Sequence, residues 1–262
     1  MNRNLRIRAL FLGVVLSTIC FSLISSAQQS IVQPTSAASV LQNMAATFSQ
    51  GKLISQVQLS GNAVWYAGGL EDSGPVVLTS AIGSSSTMAL SLSSAGPKTE
   101  IQTGIGPSAF CQWSGADGVL HDIPSMSCLA PTVWFLPALF LQPTLISSSY
   151  EYLVYGIEPV GSAQTPLLHL QSKFLSSTAS EGQGSFLSQF NTADLGLDPT
   201  SYLPVVFSYT VQPDDGASTP VTVEIRFSDY RTVNGAQIPF TLERFISGTL
   251  QMHISLENAQ IN

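Results

Sequence analysis

The chain has 262 residues, of which 44% are hydrophobic and only 10% charged, with a formal net charge of −7. Nine lysines and arginines against sixteen acids cannot form the basic stripe that tracks nucleic-acid phosphates or an anionic leaflet. Neither nucleic acid nor an anionic membrane surface is expected as a partner.

The first residues carry a targeting signature. Arg3, Arg6 and Arg8 form a positive n-region, Ala9 to Ile24 an apolar h-region, and Ser25-Ser26-Ala27 the small residues that a signal peptidase accepts. Residues 1–27 therefore read as a signal peptide, and the mature chain as exported, periplasmic or extracellular. Ile19 is too bulky a neighbour to make Cys20 a favoured lipidation site. Cleavage after Ala27 moves the formal charge from −7 to −10, because it takes three arginines and no acid. The remaining cations, Lys52, Lys98, Lys173, Arg226, Arg231 and Arg244, are scattered.

Residues 28–35 read as a loose leader and residues 36–262 as a single β-rich domain, within the length range of one barrel or sandwich. Ser36 is placed to cap a helix whose apolar positions, Ala37, Val40, Leu41, Met44, Ala45 and Phe48, fall at helical spacing, with Gly51 ending it. Short strands rich in Ser and Thr are expected over 53–59, 62–66, 76–81, 87–92 and 99–103. Gly68-Gly69, Gly74-Pro75, Gly83 and Gly96-Pro97 punctuate them.

Cys111 and Cys128 are then the cysteines of the exported chain, and such a pair is expected to form a disulfide. It closes a loop of sixteen residues, for which the loop-closure model gives about 3 kcal/mol. His121 lies inside the loop, but one imidazole and two thiols make an incomplete zinc set.

Leu129 to Ile146 carries no charge and has the length of a membrane span. Pro131, Pro137 and Pro143 interrupt it, and no Lys or Arg flanks it to orient insertion. No transmembrane span is expected in the mature chain. A short kinked helix covering the open face of a sheet fits better, with Trp134, Phe135, Leu136, Leu139, Phe140 and Leu141 apolar nearly all round.

Further strands are expected over 150–157, 166–174, 190–197 and 203–211. The last sixty residues spell out a meander. Val221, Val223, Ile225 and Phe227 alternate with Thr222, Glu224, Arg226 and Ser228, the period of a strand with one wet face. Asn234-Gly235 is a type I′ turn signal. Ala236, Ile238, Phe240 and Leu242 follow, Ser247-Gly248 turns the chain again, and Leu250, Met252, Ile254 and Leu256 close the series. The expected total is ten or eleven strands.

Catalytic motifs are lacking. Gly104-Ile105-Gly106-Pro107-Ser108-Ala109 matches a dinucleotide-type glycine pattern, but Pro107 and the turn-rich residues beyond it form no phosphate-binding helix. There is no GxSxG elbow. His121, His169 and His253 lie far apart without an HxxxH partner, so no metal and no other cofactor is expected. Asp194 and Asp229 are the candidates for paired acids of a glycosidase type. Against that, acids at alternate positions and in turns, such as Asp198-Pro199 and Asp214-Asp215-Gly216, are ordinary surface chemistry. No catalytic residue is assigned, and an enzyme is not expected.

The phrases TADLGLDPTSYLP, VEIRFSDYRTVNGAQIPFTLERF and GTLQMHISLENAQIN over residues 190–262 resemble the C-terminal half of the LolA/LolB type of periplasmic lipoprotein carrier. The CQWSGADGVLH and WFLPAL segments resemble a set of secreted bacterial proteins of unassigned activity. The carrier resemblance implies an unclosed β-barrel, a strongly curved antiparallel sheet around a hydrophobic cavity, with a few covering helices. It also implies that acyl chains are what the cavity binds.

Residues and resemblance together lead to a mainly β (α+β) fold whose concave face holds a lipid or other hydrophobic ligand, in lipid or lipoprotein trafficking. Candidate ligand-binding residues are Trp134, Phe135, Leu139 and Phe140, with Met126 beside them, on the covering segment. On the sheet they are Ile225, Phe227, Phe240, Leu242, Met252 and Ile254. The alternative is a non-catalytic structural or interaction module of the envelope, with a protein partner and a cavity filled by its own side chains.

Overall fold

A computed structural model describes residues 36–82, 85–104, 110–123, 128, 133–142, 150–174, 192–211 and 219–262. The expected signal peptide and leader over residues 1–35, Met126, residues 105–109 of the glycine pattern and Asp214-Asp215-Gly216 lie outside them.

The first half of the chain supplies helix α1 (Ala37–Ser49), then strands β1 (Gln56–Ala67), β2 (Leu70–Ala81), β3 (Ser85–Leu92), β4 (Gly96–Thr103), β5 (Phe110–Ser114) and β6 (Leu120–Ile123). A short helix α2 (Pro137–Phe140) precedes β7 (Tyr150–Glu158), β8 (Leu167–Phe174), β9 (Thr192–Leu197) and β10 (Pro204–Val211). The terminal meander is β11 (Val221–Val233), β12 (Ala236–Ile246) and β13 (Thr249–Ile261). All thirteen strands form one antiparallel sheet, ordered β6-β5-β4-β3-β2-β1-β13-β12-β11-β10-β9-β8-β7. Two meanders thus meet at one seam, where β1 pairs with β13. β6 and β7 remain as edges, so the sheet curls without closing into a barrel.

Turn chemistry sets the register of the C-terminal meander. Asn234 and Gly235 have φ of 48° and 86°, and Ser247 and Gly248 have 48° and 77°, the left-handed pairs of tight hairpins. From these turns the period of two carries Ile225, Phe227, Ile238, Phe240, Leu242, Met252 and Ile254 to one buried face. There they join α1, whose Val40, Leu41, Met44 and Phe48 are buried with them. Ser36 caps α1 by accepting the backbone N–H of Ser39 at 3.3 Å.

The 133–142 segment adds a second layer over the same face, with Phe135, Leu136 and Leu139 each 1% exposed. Gln142 ties it down. Its side chain accepts from the N–H of Ile54 at 3.1 Å and donates to the carbonyls of Ile54 and Leu139. Buried amides are tolerated when paired in this way.

Three expectations change. The strands at 53–59 and 62–66 are one strand, β1, passing through Gly61 at a bulge against β13. A β-carbon on Gly61 would fall on the backbone of Ser255 and Leu256, so this glycine permits close strand approach rather than a turn. β2 likewise begins before Gly74-Pro75, and Gly74 lies against the carbonyl of Ser91. Third, the cysteine region forms the hairpin β5–β6, whose short strands bring the count among the described residues to thirteen. Cys111 and Cys128 are joined by a disulfide, Cα to Cα 5.6 Å.

Candidate functional site

The concave face is not wholly filled. A cleft of about 260 Å³ lies between Met88 on β3, Glu100 and Gln102 on β4, and Cys111 on β5 to one side, and Tyr209, Val211 and Val223 on β10 and β11 to the other. Arg244, Ile246, Gln251 and Trp134 complete it. Alternation explains why a charge faces inward here: Arg244 shares the parity of Ile238, Phe240 and Leu242 on β12.

The Arg244 side chain is 9% exposed, and each of its three nitrogens donates a hydrogen bond. Its Nη1 and Nη2 donate to Glu100 Oε2 and Oε1 at 2.9 and 3.0 Å, a two-point pair. Its Nε donates to Gln251 Oε1 at 2.7 Å. Gln251 is the extra residue of a bulge in β13, where the register shifts between Arg244 and Phe245; the bulge re-aims its side chain. The rings of Trp134 and Trp65 lie 5.2 and 5.6 Å from the guanidinium carbon. Burial alone would pull the Arg244 pKa down, but the Glu100 carboxylate holds it above its ordinary value.

Tyr209 stands beside this pair. Its phenol is pushed up to about 12, chiefly by burial, with Glu100 adding and Arg244 opposing. No hydrogen-bond partner for its hydroxyl occurs among the described residues.

A second polar cluster sits on the convex face. His169 on β8 lies between two carboxylates, Nδ1 to Glu158 Oε1 at 2.5 Å and Nε2 to Asp194 Oδ1 at 2.8 Å. Gln171 Nε2 donates to the same Asp194 oxygen at 2.9 Å, and Tyr155 stacks on the imidazole with centroids 4.8 Å apart. The hydrogen bond to Asp194 raises the His169 pKa above 6.5, against a burial penalty and with help from Glu158. Burial would raise Asp194, but the bonds from His169 and Gln171 hold it below 3.8.

Asp194 and Asp229 do not form a catalytic pair. Asp194 is level with Ser208, and Ser208 with Glu224, five residues from Asp229, or roughly 17 Å along the strand. Asp229 instead pairs with Arg231 at 2.5 Å, at a left-handed φ of 53°.

The expected ligand-binding residues come together in one apolar cluster. Phe135, Leu139, Ile225, Phe227, Phe240, Leu242, Met252 and Ile254 are buried in it, and Phe140 packs partly buried against it. Of the ten, Trp134 alone lines the cleft. Phe140 lines a narrow seam against Leu170, Leu195 and Phe207. Glu100, Tyr209 and Arg244 were not singled out from the sequence. The inward parity of Arg244 was the available signal.

The fold has known counterparts. A Vibrio parahaemolyticus structure described as an outer membrane lipoprotein-sorting protein domain superposes with a TM-score of 0.52 at 11% identity, covering 86% of this chain and 91% of that one. A LolA superfamily protein from Nitrosomonas europaea superposes with a TM-score of 0.51 at 9% identity, covering 87% and 94%. No protein-family model matches the sequence, and no curated protein matches it. The chain has a LolA-like fold.

Proposed function

We propose that this is an exported, non-catalytic envelope protein that binds a hydrophobic ligand or acyl chain at the concave face of its half-barrel, in lipid or lipoprotein trafficking. The carrying observation is the cleft beside Trp134, walled by the apolar side chains of Met88, Val211, Val223 and Ile246. Its volume of about 260 Å³ is just below the range of small-molecule sites, so it suits one small amphiphile or one end of a longer chain. Trp134, Phe135, Leu139 and Phe140 form the cover that a longer chain displaces, exposing Ile225, Phe227, Phe240, Leu242, Met252 and Ile254. Apolar burial at roughly 25 cal/mol per Å² drives binding. Among the described residues no helix is long and apolar enough to cross a membrane.

The test is native mass spectrometry of the protein from its own envelope fraction, followed by solvent extraction. Co-purifying lipid or acylated peptide near one-to-one supports the carrier reading. A clean apo mass with no uptake of added fatty acid or phospholipid removes it.

A second reading, an interaction module with a protein partner, is favoured by the β5–β6 hairpin. It exposes Phe110, Trp113, Val119 and Leu120 near a free sheet edge, and such patches are common at protein contacts. That reading predicts an apo protein whose partner is lost when Trp113 and Leu120 become polar.

A further inference from the structure

The cleft combines an apolar wall with a polar floor that is already neutral. Glu100 engages Arg244 at two points, so among the residues lining the cleft no positive charge is left uncompensated for a ligand carboxylate or phosphate; Lys98, 5.6 Å from the Trp65 ring, lies outside that lining. An acidic head group would have to displace Glu100 from the guanidinium or sit beside its carboxylate, and like charges at such range are costly. Hydrogen-bonding capacity nevertheless remains. Each Glu100 oxygen holds one contact from Arg244 and has room to accept a second. The side chain is 35% exposed, toward solvent and the cleft. Tyr209 carries a hydroxyl on the cleft wall with no partner among the described residues, and an unsatisfied half-buried hydroxyl favours a ligand that completes it. Trp65 and Trp134 cover the guanidinium, which holds the pair in place instead of freeing the charge.

We infer that this cleft, if it binds ligand as proposed above, selects amphiphiles with an uncharged hydrogen-bond-donating end, a hydroxyl or an amide N–H, over the corresponding acids. The polar end donates to Glu100 and bonds to the Tyr209 hydroxyl. The apolar body lies along Met88, Val223, Ile246 and Trp134. The strongly acidic chain, with its net charge of −7, disfavours anionic amphiphiles in the same direction.

Isothermal titration with monodecanoylglycerol and with decanoate, both below their micelle concentrations and at about pH 7 where decanoate is ionised, tests this. The glyceride is expected to bind about tenfold tighter than the acid, the scale of one hydrogen bond to a charged group. In Glu100→Gln the freed guanidinium takes the carboxylate and the order reverses. In Tyr209→Phe the glyceride weakens about fivefold while decanoate is unchanged. Equal or tighter binding of decanoate by the native protein overturns the inference and leaves the binding cleft standing. Uptake of neither probe overturns both. An unreversed order in folded Glu100→Gln overturns the role of the ion pair. If that variant does not fold, the native order and Tyr209→Phe decide.

Discussion

Arg244 on β12 and Glu100 on β4 touch at 2.9 Å, although β3, β2, β1 and β13 lie between their strands in the sheet. Five strand spacings would separate them by roughly 24 Å in a flat sheet. Their contact is therefore a direct measure of how far the sheet curls, and it closes the floor of the cleft across the seam where the two meanders join.

Breaking this pair from one side is expected to cost more than removing both charges. Glu100→Ala strands a buried guanidinium, at about 1–3 kcal/mol once its partial solvent screening is allowed for. The double variant Glu100→Met, Arg244→Met replaces charge by apolar volume and is expected to lose less. Urea midpoints at constant m-value check the order; a double variant less stable than Glu100→Ala contradicts it.

The disulfide braces the same wall, since Cys111 both lines the cleft and bonds Cys128. Replacing both cysteines by serine is expected to lower stability by about 2–4 kcal/mol, or about 5–10 °C in Tm for a domain of this size. Calorimetry with and without reductant checks this. The native protein should show the loss on reduction, and the serine variant should show no further change.

How much of this was legible depends on the reach of the contact. The terminal meander follows from local chemistry, because Asn234-Gly235 and the alternation of Ile238, Phe240 and Leu242 fix a register within a few residues. The β1–β13 seam pairs Val57 with Ile261, a closure that no local pattern announces. Gly74 reads as punctuation because a glycine needed for close approach looks like one needed for a turn. Arg244 carries the parity of a buried face, but its partner Glu100 lies 144 residues away, so the sequence shows it only as one of six scattered cations. The apolar candidates were legible as a group, whereas the cleft depends on where packing stops, which composition does not encode.

His169 gives a pH dependence of known sign. Its raised pKa means that the stabilisation from Asp194 and Glu158 is fully present below its ordinary value of 6.5 and fades as pH rises through the raised value. Asp194, lowered below 3.8, adds stability present above that value and lost as acid protonates it. The clasp should therefore contribute most between about pH 4 and 6.5. His169→Gln should lose about 1 kcal/mol in that window and less above it. Melting curves from pH 4 to 9 check this, and a native-minus-variant difference that grows toward alkaline pH refutes it.

Glycine substitutions separate the two roles that this residue plays in the sheet. Gly235 sits at a φ of 86° with open space where a β-carbon would go. Gly235→Ala therefore meets only the left-handed penalty, about 1 kcal/mol. Gly61 has an ordinary φ, but a β-carbon there collides with the backbone of Ser255 and Leu256 on β13. No rotamer change relieves a clash with main chain, so Gly61→Ala must push β1 away from β13 and should cost about 4 kcal/mol or more. Because that seam alone joins the two meanders within the sheet, amide exchange should accelerate along both β1 and β13 in Gly61→Ala. In Gly235→Ala it should change only around the β11–β12 turn. Equal losses for the two variants would mean that the seam yields easily and that the curl is held instead by α1 and the 133–142 segment.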